Sequence, residues 1–339
     1  MSLSPSDAFL SYLPKRTSSL KVSAEAFAPS NIALCKYWGK RDPALNLPVN
    51  SSLSISLGSL GTSTRVTVID SDQDQVVLNG QVQAADSAFV RKCSAFVDHF
   101  RQIEPVRVRI ETENNIPTAA GLASSASGFA ALTLALAKLY GYELVGPALS
   151  RIARMGSGSA SRSLYQGFAE WEMGAKDNGS DSQAIALSQQ WPSLRVGVLE
   201  VTRDAKTVDS RSGMNRTTQT SHLYSAWPQQ AKENLLTLKA AIAEQDIHQL
   251  GATAEQNALS MHATMVSSWP PLLYWQPDSV KLMHQVWQCR ESGVPVYFTM
   301  DAGPNLKLLF EESAQSDIEA AFTGLEVVNP WAGPCPLND

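Results

Sequence analysis

The run Asn114-Asn115-Ile116-Pro117-Thr118-Ala119-Ala120-Gly121-Leu122-Ala123-Ser124-Ser125-Ala126-Ser127 constrains this chain most, because a turn punctuated by Pro117 and Gly121 opens directly into an alanine-rich helical stretch. Small residues let the backbone approach a ligand closely. The N–H groups of a first helical turn have no intrahelical partners and carry the positive end of the macrodipole, so they favour an anion such as phosphate. Phe129, Leu132, Leu136 and Leu139 then recur at helical spacing, which predicts one face for a core and one end for a ligand. Taken alone, such a turn is more often an ordinary connection into a buried helix, so other segments must decide.

With 339 residues, 44% of them hydrophobic and 17% charged, the chain can bury a large core and is expected to form two lobes. A net charge of −5 with no long basic run argues against nucleic acid or a membrane surface as partner. An anionic ligand therefore needs its own cationic cluster. Cys35, Cys93, Cys289 and Cys335 are far apart and make no CxxC pair, so neither a zinc site nor a disulfide framework is indicated. The absence of a basic start followed by an apolar stretch, and of any run near the ~20 apolar residues of a membrane span, reads as cytoplasmic.

Thr64 to Asp70 alternates as a strand, and Val76-Val77-Leu78 runs into Asn79-Gly80, the dipeptide of a tight hairpin. Phe89 to Phe100 repeats as an amphipathic helix, and Val106 to Glu111 alternates as a half-buried strand. Arg195 to Thr202 reads as a strand, Arg203 to Thr220 as a polar loop, and helices follow from about Pro228. A helix over Asp278 to Ser292 stops at Gly293, strands over Val296 to Met300 and Leu306 to Phe310 flank a turn, and a last helix over Ser313 to Thr323 stops at Gly324. This mixed order predicts α+β, with helices on antiparallel sheets.

Four segments offer polar groups in settings that read as turns. The first, Ala28 to Asp42, holds Lys36, Lys40 and Arg41 close together with Tyr37, a mixture suited to a multiply charged phosphate ester. The opening turn is the second. The third, Arg154 to Ser163, interleaves glycine with Ser157, Ser159 and Ser161, while Arg162 can grip a carboxylate or phosphate with two hydrogen bonds. It lacks the third glycine of a dinucleotide fingerprint, and no GxxxxGK[ST] loop occurs. The fourth pairs Ser210-Arg211-Ser212 with Thr299 to Asn305, where Asp301 ends an apolar strand and can be held rigidly as a base. Read singly, these are solvated faces, caps and turns. The five histidines show no ligand spacing, although Met261-His262 can sit behind the site.

The motifs A-P-x-N-I-A…K-Y-W-G-K-R-D at Ala28, N-N-x-P-T-A-x-G-L-A-S-S-A at Asn114, G-S-G-S-A-x-R-S-L at Gly156 and M-D-A-G-P-N at Met300 occur in one order from about Ser23 to Phe310. In them the chain resembles the diphosphomevalonate decarboxylase family of the GHMP kinase superfamily. That resemblance implies a two-lobed fold, with a left-handed βαβ unit in an N-terminal ATP-binding lobe (1–203), a C-terminal α/β sandwich lobe (204–339) and the site in the cleft between. It implies ATP and Mg²⁺ as cofactors, mevalonate 5-diphosphate as substrate, isopentenyl diphosphate as product, and a homodimer. By position, Asp301 would orient or deprotonate the C3 hydroxyl, Arg162 would hold the C1 carboxylate, and Lys36 would stand near the reacting groups. Tyr37, Lys40, Ser157, Ser159, Ser210 and Arg211 would join Arg162 in contacting the substrate. Pro117, Gly121, Leu122, Ala123, Ser124 and Ser125 would line ATP, with Ser125 toward the metal. Alternatives are a GHMP relative acting on mevalonate or its monophosphate, a 3-kinase that stops before decarboxylation, and an inactive phosphate-binding module. Ser30 and Ser161 replace the Val and Cys of many relatives, a change that concerns packing.

Overall fold

Long strands rich in Ser, Thr and β-branched residues organise the first half. The computed structural model describes residues 4–116, 124–202 and 208–337. After a short helix α1 (Pro5–Tyr12), β1 (Ser23–Cys35) pairs antiparallel with the later, longer β4 (Ser52–Ile69), from Ser23 opposite Thr67 to Cys35 opposite Leu53. Between them lies a small ribbon of β2 (Lys40–Asp42) and β3 (Leu47–Pro48). The register slips between Pro29 and Asn31, where proline cannot donate to the ladder. The outer part of β4 shows Arg65 and Thr67 turned outward around buried Val66, whereas Ser52 to Leu57 are buried on both faces. That inner end is covered from two sides, and the site forms beside it.

The hairpin at Asn79-Gly80 is present, joining β5 (Gln75–Leu78) to β6 (Gln81–Val82). Both turn residues have left-handed φ angles of 49° and 76°, which explains why Asn and Gly stand there. Helix α2 (Ala88–Arg101), capped by Ser87, then leads to β7 (Arg107–Asn114), which runs parallel to β5 and antiparallel to β4. Helix α3 (Ser124–Tyr140) packs against β1 and β4. Sequence periodicity assigned it one apolar face, yet Ala130, Ala131, Leu134, Ala135 and Ala137 are as buried as Leu132 and Leu136. It is a central helix, surrounded by core on nearly every side. Helix α4 (Gly146–Gly156), β8 (Phe168–Trp171) and β9 (Ala184–Ala186) complete this half, giving a seven-stranded sheet.

The second sheet has the order β11 (Tyr297–Met300), β12 (Leu306–Glu311), β10 (Leu194–Leu199), β13 (Glu326–Val328), all antiparallel. Among the described residues strand β10 pairs only within this sheet, so the C-terminal sheet takes its first strand from ahead of residue 203. Between β10 and β11 come α5 (Ser210–Thr220), α6 (Trp227–Glu244), α7 (Ile247–Val266) and α8 (Pro277–Glu291), and α9 (Gln315–Ala321) follows β12. Helix α5 corrects the sequence expectation of a loop over 203–220: residues 210–220 are helical, and 203–207 lie outside the described residues. Its mean hydropathy is low and only Gly213, Met214 and Thr217 are buried, so it carries no apolar stripe for periodicity to detect. The legible signal was its cap, since the Asp209 side chain accepts from the backbone N–H groups of Arg211 and Ser212.

The result is a mixed α+β chain built on two principal sheets. One core lies between α2, α3, α4 and the first sheet. A second joins Ile32, Leu34 and Cys35 of β1 to Ala231 and Leu235 of α6 and Leu250 and Ala254 of α7. A third fills the space between α8, α9 and the second sheet. No helix among the described residues is long and apolar enough to cross a membrane.

Candidate active site

Where β1 leaves the first sheet, the chain turns through Lys36-Tyr37-Trp38-Gly39-Lys40. The first segment is thus a strand up to Cys35, and only its second part is the turn that sequence reading expected throughout. Gly39 has φ +115°, and a Cβ there would lie 1.7 Å from the Tyr224 hydroxyl, which donates to the Trp38 carbonyl at 3.0 Å. Only glycine allows the turn to press so closely on the second half of the molecule.

This turn forms one wall of a cleft of about 810 Å³. Asp301, the residue following β11, lines the same cleft, and its carboxylate accepts from Lys36 Nζ at 2.9 Å. Lys36 is 2% exposed and Asp301 28%, so the pair is anchored from below and open to the cleft through its carboxylate. Lys36 Nζ also donates to the Ala33 carbonyl at 2.7 Å. Burial lowers its pKa from the ordinary lysine value, and the Asp301 charge opposes that fall.

Arg162 follows the short 3₁₀ turn Gly158–Ser161 and is 2% exposed. Its guanidinium donates to Ser52 Oγ and lies 5.9 Å from the Trp171 ring, while Nε meets no hydrogen-bond partner among the described residues. Burial pulls its pKa down to about 10, partly offset by Asp301, so it stays cationic at neutral pH. A buried cation with donors to spare, facing a cleft, is suited to an anion with two oxygens.

The other expected substrate contacts, Tyr37, Lys40, Ser157, Ser159, Ser210 and Arg211, line the same cleft. The Tyr37 hydroxyl is buried without a partner among the described residues, and burial raises its pKa. Lys40 donates to Asn46 Oδ1 at 2.6 Å, and burial, with Arg211 and Lys92 nearby, lowers its pKa to about 8. Ser210 and Arg211 occupy the first turn of α5. Because Asp209 already occupies two N–H groups there, α5 offers side chains and not a bare helix end. Arg41 departs from the expected trio of cations: it turns away to donate to the carbonyls of Met173 and Lys176. Ser30 and Ser161 satisfy themselves internally, on Ser127 Oγ and the Gly158 carbonyl.

Of the expected ATP contacts, Pro117, Gly121, Leu122 and Ala123 lie outside the described residues, as does the side chain of Ser124, the first residue of α3. Ser125 does line the cleft, with its hydroxyl 3.4 Å from Ser157 Oγ, which is 3.5 Å from Ser159 Oγ. A hydroxyl row thus runs from the start of α3 to the Ser/Gly turn. Ser125 also borders a second cavity of about 350 Å³, walled by Leu78, Phe89, Ile110 and Phe129 with Thr62, Thr64 and Asn79 among the polar lining. Lys92 borders both cavities, and its ammonium sits 4.4 Å from the Phe129 ring. Sequence reading missed it, because on α2 it looks like any solvated lysine. It also missed Asn31, whose amide holds the third segment in place through Ser163 Oγ at 2.7 Å and the Ser159 carbonyl at 3.2 Å.

Residues 28–184 match the diphosphomevalonate decarboxylase-like N-terminal domain, and residues 196–327 match the mevalonate 5-diphosphate decarboxylase C-terminal domain. The diphosphomevalonate decarboxylase of Candida albicans is 39% identical over 312 residues, covering 87% of this chain and 86% of that protein. The structure of mevalonate diphosphate decarboxylase from Staphylococcus aureus superposes with a TM-score of 0.87 at 42% identity, covering 92% and 96% of the two chains. That of MDDEF in complex with MVAPP, AMPPCP and magnesium gives 0.86 at 40% identity, covering 92% and 97%.

Proposed function

The chain belongs to the diphosphomevalonate decarboxylase family, and from that premise we propose how its cleft performs the family's reaction, with Asp301, Lys36 and Arg162 as the catalytic residues. The protein is an ATP-dependent decarboxylase of mevalonate 5-diphosphate. The tertiary C3 hydroxyl is phosphorylated by ATP, and loss of that phosphate together with CO2 leaves isopentenyl diphosphate.

The observation that carries the assignment of roles is the convergence of the Lys36–Asp301 pair and Arg162 on one cleft beside the start of α3. A tertiary alcohol is a poor nucleophile, so Asp301, held by its ion pair with Lys36, orients the C3 hydroxyl and accepts its proton as the phosphoryl group arrives. With ADP released, the C3–O bond of the phosphorylated alcohol then breaks, its electron pair leaving on the phosphate oxygen. The C1–C2 bond breaks in turn, its electrons forming the C2=C3 double bond. Arg162 holds the C1 carboxylate in line for that cleavage, so binding becomes alignment. Lys40, Arg211, Tyr37, Ser157, Ser159 and Ser210 grip the diphosphate.

The second cavity suits a nucleoside: apolar walls for a flat base, hydroxyl and amide groups at its edge, and Lys92 and Ser125 at the passage toward the cleft. Mg²⁺, when bound, neutralises charge between phosphates. The described residues include no cluster of three His, Cys, Asp or Glu; of the chain's own groups, the Ser125 hydroxyl lining the cleft would be the one offered to the ion. The test is a coupled assay of ADP and CO2 with mevalonate, its 5-phosphate and its 5-diphosphate. Equal ADP and CO2 with the diphosphate alone is the expected result, and ADP without CO2 rejects the decarboxylase.

A further inference from the structure

Lys36 and Asp301 meet at 2.9 Å from opposite ends of the sequence, each just beyond the end of a strand where sheet pairing no longer fixes the backbone. The Lys36 N–H, one residue past the last β1–β4 pair, donates to Asn257 Oδ1 at 2.8 Å, and the Lys36 carbonyl accepts from Asn50 Nδ2 at 2.9 Å. The Asp301 carbonyl, one residue past β11, accepts from Gly303 N–H at 2.7 Å and faces His262 Nε2 at 2.9 Å. A carbonyl only accepts, so His262 donates through Nε2. Asn257 and His262 both belong to α7, five residues or about 7.5 Å of helix axis apart.

Both are held in turn. Asn257 is fully buried and its Nδ2 donates to Asn234 Oδ1 on α6 at 2.9 Å. His262 is 1% exposed, stacked 5.4 Å from the Trp275 ring and edge-on to Tyr274 at 6.4 Å. We infer that α7 is the gauge that sets the spacing of the Lys36–Asp301 pair, with Asn257 and His262 as positioning residues that hold the two main chains. The inference rests on the reading of Asp301 and Lys36 given above. It assigns the two residues an effect on turnover, since a misplacement of ~1 Å at the reacting groups can cost about a hundredfold.

The test compares His262→Phe, which keeps a flat ring on Trp275 but cannot donate, with His262→Gln, whose amide N–H replaces Nε2 without the ring. Steady-state kinetics are run on the full chain, ATP affinity is measured by direct titration, and folding is checked by circular dichroism. The expected result is H262F slowed ~10–100-fold in kcat with both KM values and ATP affinity within about threefold of the parent, and H262Q keeping most of kcat. An unslowed H262F, or H262Q impaired as much as H262F, assigns His262 to packing and overturns the inference. If H262F does not fold, Asn257→Ser decides: kcat lowered at unchanged KM supports the gauge, and unchanged kcat overturns it. A parent chain that releases no CO2 removes the functional reading and this inference with it, whereas the variant outcomes alone leave that reading standing.

Discussion

Replacing Asp301 by Asn preserves shape and removes charge, so it separates two effects of the carboxylate. On turnover, loss of a general base costs typically ~10²–10⁴-fold, about 3–5 kcal/mol of barrier. On stability, breaking a buried ion pair by removing one partner costs ~3–5 kcal/mol when the other charge stays buried. Lys36 has an escape: with its carboxylate gone, desolvation pushes its already lowered pKa further down, and the amine can shed its proton while still donating to Ala33. A base whose folded pKa lies below its unfolded value weakens the fold at low pH and regains stability as pH rises. Between the folded pKa of the variant and that of the parent, each unit upward returns about 1.4 kcal/mol. D301N is therefore expected to lose kcat about 10²–10⁴-fold at unchanged ATP affinity. Its melting temperature should trail the parent more at pH 6 than at pH 9. Single-turnover CO2 release and thermal melts at the two pH values provide the check. A kcat within threefold of the parent, or a stability gap that widens as pH rises, refutes the reasoning.

Arg162→Gln should lower kcat/KM for mevalonate 5-diphosphate by ~10²-fold, the worth of one or two charged hydrogen bonds, while an ATP titration stays near the parent curve; the opposite pattern removes Arg162 from the substrate carboxylate. Lys40, lowered to about 8, is cationic below that pH and neutral above it, so kcat/KM for the diphosphate should decline as pH rises past about 8. The guanidinium of Lys40→Arg should abolish that decline, and a pH profile shared by both proteins counts against Lys40 as a diphosphate ligand. Lys92→Met should weaken ATP ~10-fold with little change in KM for the other substrate, and equal nucleotide affinity places Lys92 outside the phosphate path.

Much of this fold was legible where side-chain pattern and backbone need coincide. Asn79-Gly80 specified a turn that only left-handed residues fit, and the strands flanking Asp301 announced themselves by apolar runs. Helix α5 was not legible, because it is specified by a cap and three buried residues instead of by a buried stripe. The site divided in the same way. Asp301, Arg162 and Tyr37 stood out through motif resemblance, which carries spacing information that periodicity does not. Lys92 and Asn31 did not, since their meaning arises only when α2 and β1 are brought against the start of α3 and the Ser/Gly turn. Nor can a linear reading see that Arg41, adjacent to Lys40, points the other way.

The passage of β1 from one core into another restricts how this protein can breathe. Ile32, Leu34 and Cys35 are all fully buried in the shared interior with α6 and α7. Prising the halves apart as rigid bodies would wet those side chains, at ~1.5–3 kcal/mol for each large aliphatic one before any hydrogen bond is counted. A clamshell opening is thus an expensive route for admitting two highly charged molecules. A route of entry that leaves this shared interior dry also leaves undisturbed the floor that holds the acid and its lysine.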